Sequence, residues 1–166
     1  MVDPSRRNRG LDADHAPPAT IHVPRRMRIT VETTVAAPVD RVWRAYTTPA
    51  AITRWNAASD DWHTTAATVD LRPGGAFSSR MEAKDGSAGF DFAGTYTDVV
   101  AHERIAYTLG ERSAEVVFRP SPAGAAVRTT VRVTFDAEPT HPVEQQRQGW
   151  QQILDSFKRY VEGAGR

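Results

Sequence analysis

The sequence predicts an α+β domain in which a curved antiparallel sheet of seven strands wraps around one long C-terminal helix. Three observations predict this fold class. A strand pattern is followed by two short helical patterns, six short alternating segments come next, and a long amphipathic helix closes the chain. Because the connections between the six segments are short, they allow only hairpins or tight corners, and the segments form an antiparallel meander.

The first strand and the two short helices come at the start of the domain. Residues 29–35 alternate between apolar and polar side chains, which is typical of a strand with one buried face. Pro38 fits the first turn of a helix whose apolar residues recur at helical spacing. Pro49 starts a second helix by the same reasoning and places Ile52 and Trp55 inward. The order of elements is therefore strand, helix, helix.

The meander and the closing helix make up the rest of the domain. Turn-forming Gly, Pro, Asp and Ser residues separate predicted strands at residues 67–71, 76–83, 89–100, 103–109, 114–119 and 125–136. The closing helix spans about 20 residues, or roughly 30 Å. Its apolar face consists of Trp150, Ile153, Leu154, Phe157 and Val161. Only this helix is long enough to cover the apolar face of the sheet, so the space between them is a candidate ligand cavity.

Composition excludes several function classes. The 166 residues are 40% hydrophobic and 25% charged, which is typical of one globular domain. The formal net charge of +1 does not favour nucleic acid as a partner. Because the chain has no cysteine, disulfides, thiolate metal sites and cysteine nucleophiles are excluded. No apolar run approaches the roughly 18 residues of a membrane span, so we predict no membrane insertion and a cytoplasmic location.

The domain boundary is predicted close to residue 27. Residues 1–26 contain several prolines and few large apolar side chains, which indicates a flexible N-terminal arm. Residues 27–163 then form the single domain. The excess of arginine over lysine and the many alanines are typical of a bacterium with a GC-rich genome.

Aromatic residues on two neighbouring strands suggest a binding pocket. Phe90, Phe92 and Tyr96 share one face of a strand, and Phe77 and Met81 share one face of its hairpin partner. Aromatic walls with a few polar groups are typical of small-molecule sites. The alternative is that these residues are simply core. The predicted ligand-binding set is Trp55, Trp62, Phe77, Met81, Phe90, Phe92, Tyr96, Gln146, Trp150 and Ile153.

The polar candidates divide by strand parity. Arg80, Glu82, Asp91 and Arg132 have the parity opposite to their apolar neighbours, and we expect them to face solvent. Gln146 lies one turn before Trp150 on the inward edge of the helix, which makes it the better polar contact for a ligand.

A catalytic group is hard to find in this sequence. His63 lies beside Asp60, Asp61 and Trp62 and is a weak candidate for a general base, but the favoured interpretation is an exposed loop residue. The other histidines are scattered without metal-ligand spacing, and no phosphate-binding or dinucleotide-binding motif occurs. We therefore predict no metal and no cofactor.

Five short strings, in order along residues 27–162, carry a family resemblance. They are VAAPVDRVWRAY at 35–46, LRPGGAF at 71–77, GTYTDVV at 94–100, ERIAY at 103–107 and GWQQILDSF at 149–157. Together they resemble the START-like or SRPBCC superfamily of helix-grip proteins, in the branch of homologues of the ninety-kilodalton heat-shock protein ATPase activator. The resemblance implies the helix-grip fold.

The resemblance leaves three functions open, because fold does not fix function. The first is binding of a hydrophobic small molecule, aromatic or polycyclic, by a monomer or homodimer with weak enzymatic activity or none. The second is an enzyme resembling polyketide cyclases or aromatases, in which the cavity folds a flexible substrate and His63 moves protons. The third is a co-chaperone or interaction module.

Overall fold

The computed structural model describes residues 27–163, which fold into seven strands and three helices. In chain order these are β1 (Arg28–Val35), α1 (Val39–Thr47), α2 (Pro49–Trp55), β2 (Trp62–Val69), β3 (Ala76–Ala83), β4 (Gly89–Val100), β5 (Arg104–Leu109), β6 (Arg112–Pro120), β7 (Thr129–Asp136) and α3 (Val143–Gly163). The strands form one antiparallel sheet in the order β1-β7-β6-β5-β4-β3-β2. The predicted α+β helix-grip fold is confirmed. The predicted arm lies outside the described residues.

The first three elements follow the sequence pattern closely. Strand β1 buries every second side chain, from Ile29 to Val35. Pro38 stands one position earlier than expected, as the capping residue before α1, with its backbone extended. Pro49 begins α2, and Ile52 and Trp55 are buried as predicted. The indole N–H of Trp55 donates to a backbone carbonyl of α1 at 2.9 Å, which fixes the angle between the two helices.

Strand β2 begins earlier than the predicted 67–71. It runs from Trp62 because the polar segment after α2 pairs with β3, with Trp62 opposite Ala83. The hydroxyl of Thr64 donates to the carbonyl of Asn56 at 2.6 Å and ties this segment to the end of α2. Pairing and packing here override the missing apolar alternation. The strand ends at Val69, before a turn around Gly74.

Two hairpin boundaries in the second half of the sheet also differ from the prediction. Strand β6 starts at Arg112 and not at 114, because a two-residue turn closed by positive φ at Gly110 leaves Leu109 opposite Arg112. Strand β7 starts at Thr129 and not at 125. Before it, the side chain of Ser121 bonds backbone groups across the loop and holds residues 121–128 out of the ladder.

Helix α3 packs on the sheet and also covers the edge strand β1. Its buried residues Leu154, Phe157 and Val161 contribute to the core. Side chains on its flank donate to alternate backbone carbonyls of β1, in the pairs Arg147 to Thr30 (3.4 Å), Gln151 to Glu32 (3.1 Å) and Lys158 to Thr34 (2.7 Å). Within residues 27–163, no helix combines the length and the apolarity needed to cross a lipid bilayer.

The convex face of the sheet carries ion pairs, as strand parity predicted. Arg80 lies 3.1 Å from Glu82 and 3.6 Å from Asp91. Arg132 of β7 lies 2.7 Å from Glu32 of β1. All of these side chains are partly exposed, so they are surface pairs that add little to the free energy of unfolding. Their outward direction leaves the opposite, concave face apolar.

Candidate ligand-binding cavity

A cavity of about 610 Å³ lies between the concave face of the sheet and α3, with α2 at one side. Its walls include all ten residues of the predicted ligand-binding set: Trp55, Trp62, Phe77, Met81, Phe90, Phe92, Tyr96, Gln146, Trp150 and Ile153. The apolar residues of β3 and β4 therefore face inward together. The volume falls within the range of about 300–1,000 Å³ that is usual for small-molecule sites.

Phe77 is the centre of the aromatic wall. Its ring centroid lies 5.9 Å from that of Phe92, 5.0 Å from Tyr96 and 5.1 Å from Tyr107. These are tilted or edge-to-face arrangements, which is how aromatic side chains pack favourably. The strands β3, β4 and β5 thus present one continuous aromatic surface to the cavity.

Gly94 makes room for this surface. It lies opposite Phe77 in the β3–β4 pair. A Cβ atom at this position would lie 2.8 Å from Cζ of Phe77 and closer still to the carbonyl oxygen of Thr108. The missing side chain lets the Phe77 ring lie directly over the β4 backbone.

The helix side of the cavity is anchored by a stacked pair. The Trp150 ring lies 3.9 Å from Phe135 of β7 with an interplanar angle of 12°, and its edge approaches Phe92 at 6.0 Å. Trp150 of α3 therefore contacts both β7 and β4 from the helix side of the cavity. Ile153, one turn further along α3, continues this wall.

The rim of the cavity is formed by Trp62 and Phe90, whose rings are 5.8 Å apart. Phe90 is 48% exposed, which is unusual for so large an apolar side chain. Both rings line the cavity and one of them is open to solvent, so the cavity opens to solvent beside this pair.

Three tyrosines provide polar groups inside the cavity: Tyr46, Tyr96 and Tyr107. Burial raises the pKa of Tyr96 to about 12 and also raises the pKa values of Tyr46 and Tyr107, so all three are neutral phenols at pH 7. None of residues 27–163 forms a hydrogen bond with these hydroxyls. Every fully buried side-chain oxygen of this region does have a partner, so the three hydroxyls cannot be fully buried. The hydroxyls are therefore open to the cavity.

Gln146, the predicted polar contact, is largely occupied by the loop before α3. Its amide N–H groups donate to the carbonyls of Glu138 at 3.0 Å and of His141 at 2.8 Å. Its amide oxygen accepts the N–H of Glu138 at 2.9 Å. Both amide hydrogens are thus used, and one oxygen lone pair is left for any ligand. The first role of this side chain is to hold the loop.

Glu138 and His141 are hydrogen-bonded to each other at the same end of the cavity. Desolvation acts to raise the pKa of Glu138, but hydrogen bonds from the N–H of Thr140, from the His141 ring and from the His141 N–H outweigh it and lower the pKa to about 2. The ring nitrogen and the two N–H groups lie 2.7–2.8 Å from the carboxylate oxygens. This carboxylate is satisfied by its own loop.

The sequence pattern behind this architecture matches a known family. The family model described as "Activator of Hsp90 ATPase homolog 1-like protein" matches residues 36–162, which is most of the described domain and includes every residue that lines the cavity. The chain belongs to this family.

Solved structures of related bacterial proteins support the assignment. The AHSA1-like protein from Aeromonas hydrophila is 51% identical, over 84% of this chain and 94% of that one, with a TM-score of 0.76. Chr148 from Cytophaga hutchinsonii is 45% identical, over 82% and 93% of the two chains, with a TM-score of 0.69. CV1439 from Chromobacterium violaceum is 27% identical, over 82% and 98%, with a TM-score of 0.71. No curated protein matches the chain.

His63, the weak catalytic candidate, lies apart from the cavity of this family member. It lines a neighbouring pocket of about 180 Å³, together with Lys84 and Arg159, and is absent from the lining of the cavity itself. Its side chain alternates with that of Trp62 along β2, so when Trp62 faces the cavity His63 cannot. Within the described residues, no group of three or more histidine, aspartate or glutamate side chains is placed to hold a metal ion.

Several cavity residues were missed by sequence reasoning. They are Tyr46, Tyr107, Arg112, Glu138 and His141. Tyr46 belongs to the apolar stripe of α1, and Tyr107 follows the inward parity of β5. Arg112 shares its parity with buried residues of β6, so its inward direction can be predicted once the strand is known to start at Arg112. Glu138 and His141 come from a loop without a periodic pattern.

Proposed function

We propose that this protein binds a hydrophobic small molecule, aromatic or polycyclic, in the cavity between the sheet and α3. The observation that carries the proposal is the 610 Å³ volume with an aromatic wall centred on Phe77 and a rim that includes the exposed Phe90. Burial of apolar ligand surface would supply most of the binding free energy, at about 25 cal/mol per Å². A flat aromatic ligand fits the spaced rings of this wall better than a flexible chain does.

The tyrosine hydroxyls give this binding its polar component. As neutral phenols, Tyr46, Tyr96 and Tyr107 can donate to a carbonyl or accept from a hydroxyl of the ligand. A ligand that covers these open hydroxyls removes them from water, so a ligand that bonds them gains affinity over one that leaves them without a partner. The proposed ligand is therefore largely apolar with one or more oxygen groups.

The two alternatives have less support. The cyclase-like enzyme relied on His63 to move protons, and that residue lies outside the cavity. A general base works best when its pKa is near the working pH, whereas the pKa values of the cavity tyrosines are raised well above 7. The co-chaperone hypothesis rests on the family description alone.

Native mass spectrometry of the full chain purified from its own host is the first test. We expect a bound species of a few hundred daltons, as a cavity of this volume allows, that is lost when the protein is denatured. The second test uses methyl pyrenebutyrate, a neutral aromatic probe whose fluorescence changes on transfer out of water. We expect saturable binding of one probe molecule per chain.

A matched pair of variants locates this binding. Phe92→Arg introduces a long charged side chain into the cavity wall, and Ala93→Arg introduces the same side chain at the next residue of β4, which is exposed on the opposite face. We expect Phe92→Arg to abolish probe binding and Ala93→Arg to retain it, with both variants folded by circular dichroism. Equal binding by the two variants would contradict the proposed site.

A further inference from the structure

Arg112 is the only arginine or lysine that lines the cavity within residues 27–163. It is the first residue of β6 and shares its parity with Ala114, Val116 and Phe118, all of which are buried on the concave face. Strand geometry therefore directs the guanidinium inward, although arginine on an inner face is rare unless it is paired. Its side chain is only partly exposed.

Among the described residues, this charge has no partner. Within residues 27–163 the guanidinium forms no ion pair and no hydrogen bond, in contrast to Arg80, Arg104 and Arg132 on the convex face, each of which meets a carboxylate. A partly desolvated cation without a counter-charge is unfavourable, and the cost is relieved when an anion binds.

The nearby Glu138 does not supply that counter-charge. It lines the same cavity, but its two oxygens accept hydrogen bonds from Thr140 and His141 of its own loop and none from Arg112. Because the Glu138 carboxylate is bonded within its own loop, all five N–H donors of the Arg112 guanidinium remain available to a ligand.

We propose that Arg112 binds the carboxylate of the ligand, so that the cavity selects hydrophobic aromatic acids over their neutral analogues. This inference rests on the proposed function and specifies its substrate class. The planar fork of arginine matches a carboxylate with two parallel hydrogen bonds. Tyr107 lies within the electrostatic influence of Arg112 and also faces the cavity, so its hydroxyl is a further donor for the same acid group.

The test compares pyrenebutyric acid with its methyl ester in four versions of the full chain. These are the wild type, Arg112→Gln, Arg112→Lys and the control Arg119→Gln. Arg119 lies on the same strand but is exposed and points outward. Arg119→Gln removes one positive charge, as Arg112→Gln does, and so controls for the effect of net charge on binding of the acid. Urea midpoints establish that each variant is folded.

We expect the wild type and Arg119→Gln to bind the acid about tenfold or more tightly than the ester. Arg112→Gln should bind the acid and the ester with equal affinity, and Arg112→Lys should retain part of the preference for the acid, since a lysine keeps the charge without the fork. Equal affinity of the wild type for acid and ester, or a preference that survives Arg112→Gln, would overturn the carboxylate inference and leave the proposed function standing. Failure of both probes to bind the wild type would overturn the proposed function and this inference together.

Discussion

Replacing Gln146 tests whether its main role is to hold the loop before α3 by hydrogen bonds. Its amide makes three hydrogen bonds, of 2.8–3.0 Å, to the loop of Glu138 and His141. Gln146→Met keeps the length and helix propensity of the side chain and removes all three bonds. Each is worth about 1 kcal/mol net, and rehydration of the loop recovers part of the loss, so we expect unfolding to be easier by about 2 kcal/mol.

Urea unfolding measures this change, and the neighbouring glutamine provides the control. A loss of about 2 kcal/mol lowers the urea midpoint by about 1 M for an ordinary slope. Gln145 also lines the cavity but is exposed and forms no hydrogen bond with any residue of the described domain, so Gln145→Met should leave the midpoint unchanged. An unchanged midpoint for Gln146→Met, or equal shifts for both variants, would refute the structural role.

Three further predictions concern glycine and titratable positions. Gly94→Ala should destabilise the fold by about 1–3 kcal/mol, because a Cβ there would clash with the backbone carbonyl oxygen of Thr108 and lie 2.8 Å from Cζ of Phe77. A Cβ at Gly149 would meet nothing within 4 Å, so Gly149→Ala should stabilise α3 by about 0.5–1 kcal/mol. Urea midpoints measure both changes. The pKa of Glu138 is lowered from 4.5 to about 2, so its carboxylate adds stability that is lost as the pH falls through that interval. In Glu138→Gln the urea midpoint should therefore fall less between pH 4.5 and pH 2 than in the wild type, whereas Glu144→Gln should behave like the wild type. The pKa of Tyr96 is raised from 10.0 to about 12, so the ultraviolet absorbance change of its ionisation should occur near pH 12 in the folded protein. Stability should fall as the pH rises from 10 to 12, because the phenol ionises more readily in the unfolded chain. Ionisation of Tyr96 near pH 10 in the folded state would contradict its burial.

The fold and the apolar wall could be predicted from sequence because both depend on local periodicity. Alternation along β3 and β4 determines which side chains share a face, and one helix is long enough to cover that face. Phe77, Phe92 and Trp150 therefore line the cavity as the pattern predicted.

The polar part of the site depends on interactions that periodicity does not encode. Arg112 was assigned to a turn, and only the pairing of Leu109 with Arg112 extends β6 far enough to turn this side chain inward. Gln146 was placed on the correct face of α3, but its hydrogen-bond partners come from a loop whose conformation has no repeating signal. His63 and Trp62 alternate along β2, a segment whose pairing with β3 was missed.

The cover that α3 places over β1 has a consequence for aggregation. An exposed edge strand offers free carbonyls and N–H groups on which another chain can add a strand. Here side chains of α3 already occupy carbonyls along β1, and the carboxylate of Glu162 accepts the N–H of Ala36 just after it, at 2.9 Å. Templated growth from this edge therefore requires α3 to detach first. Since the same helix forms one wall of the cavity, a bound ligand would hold it in place and protect the chain from fibrous assembly.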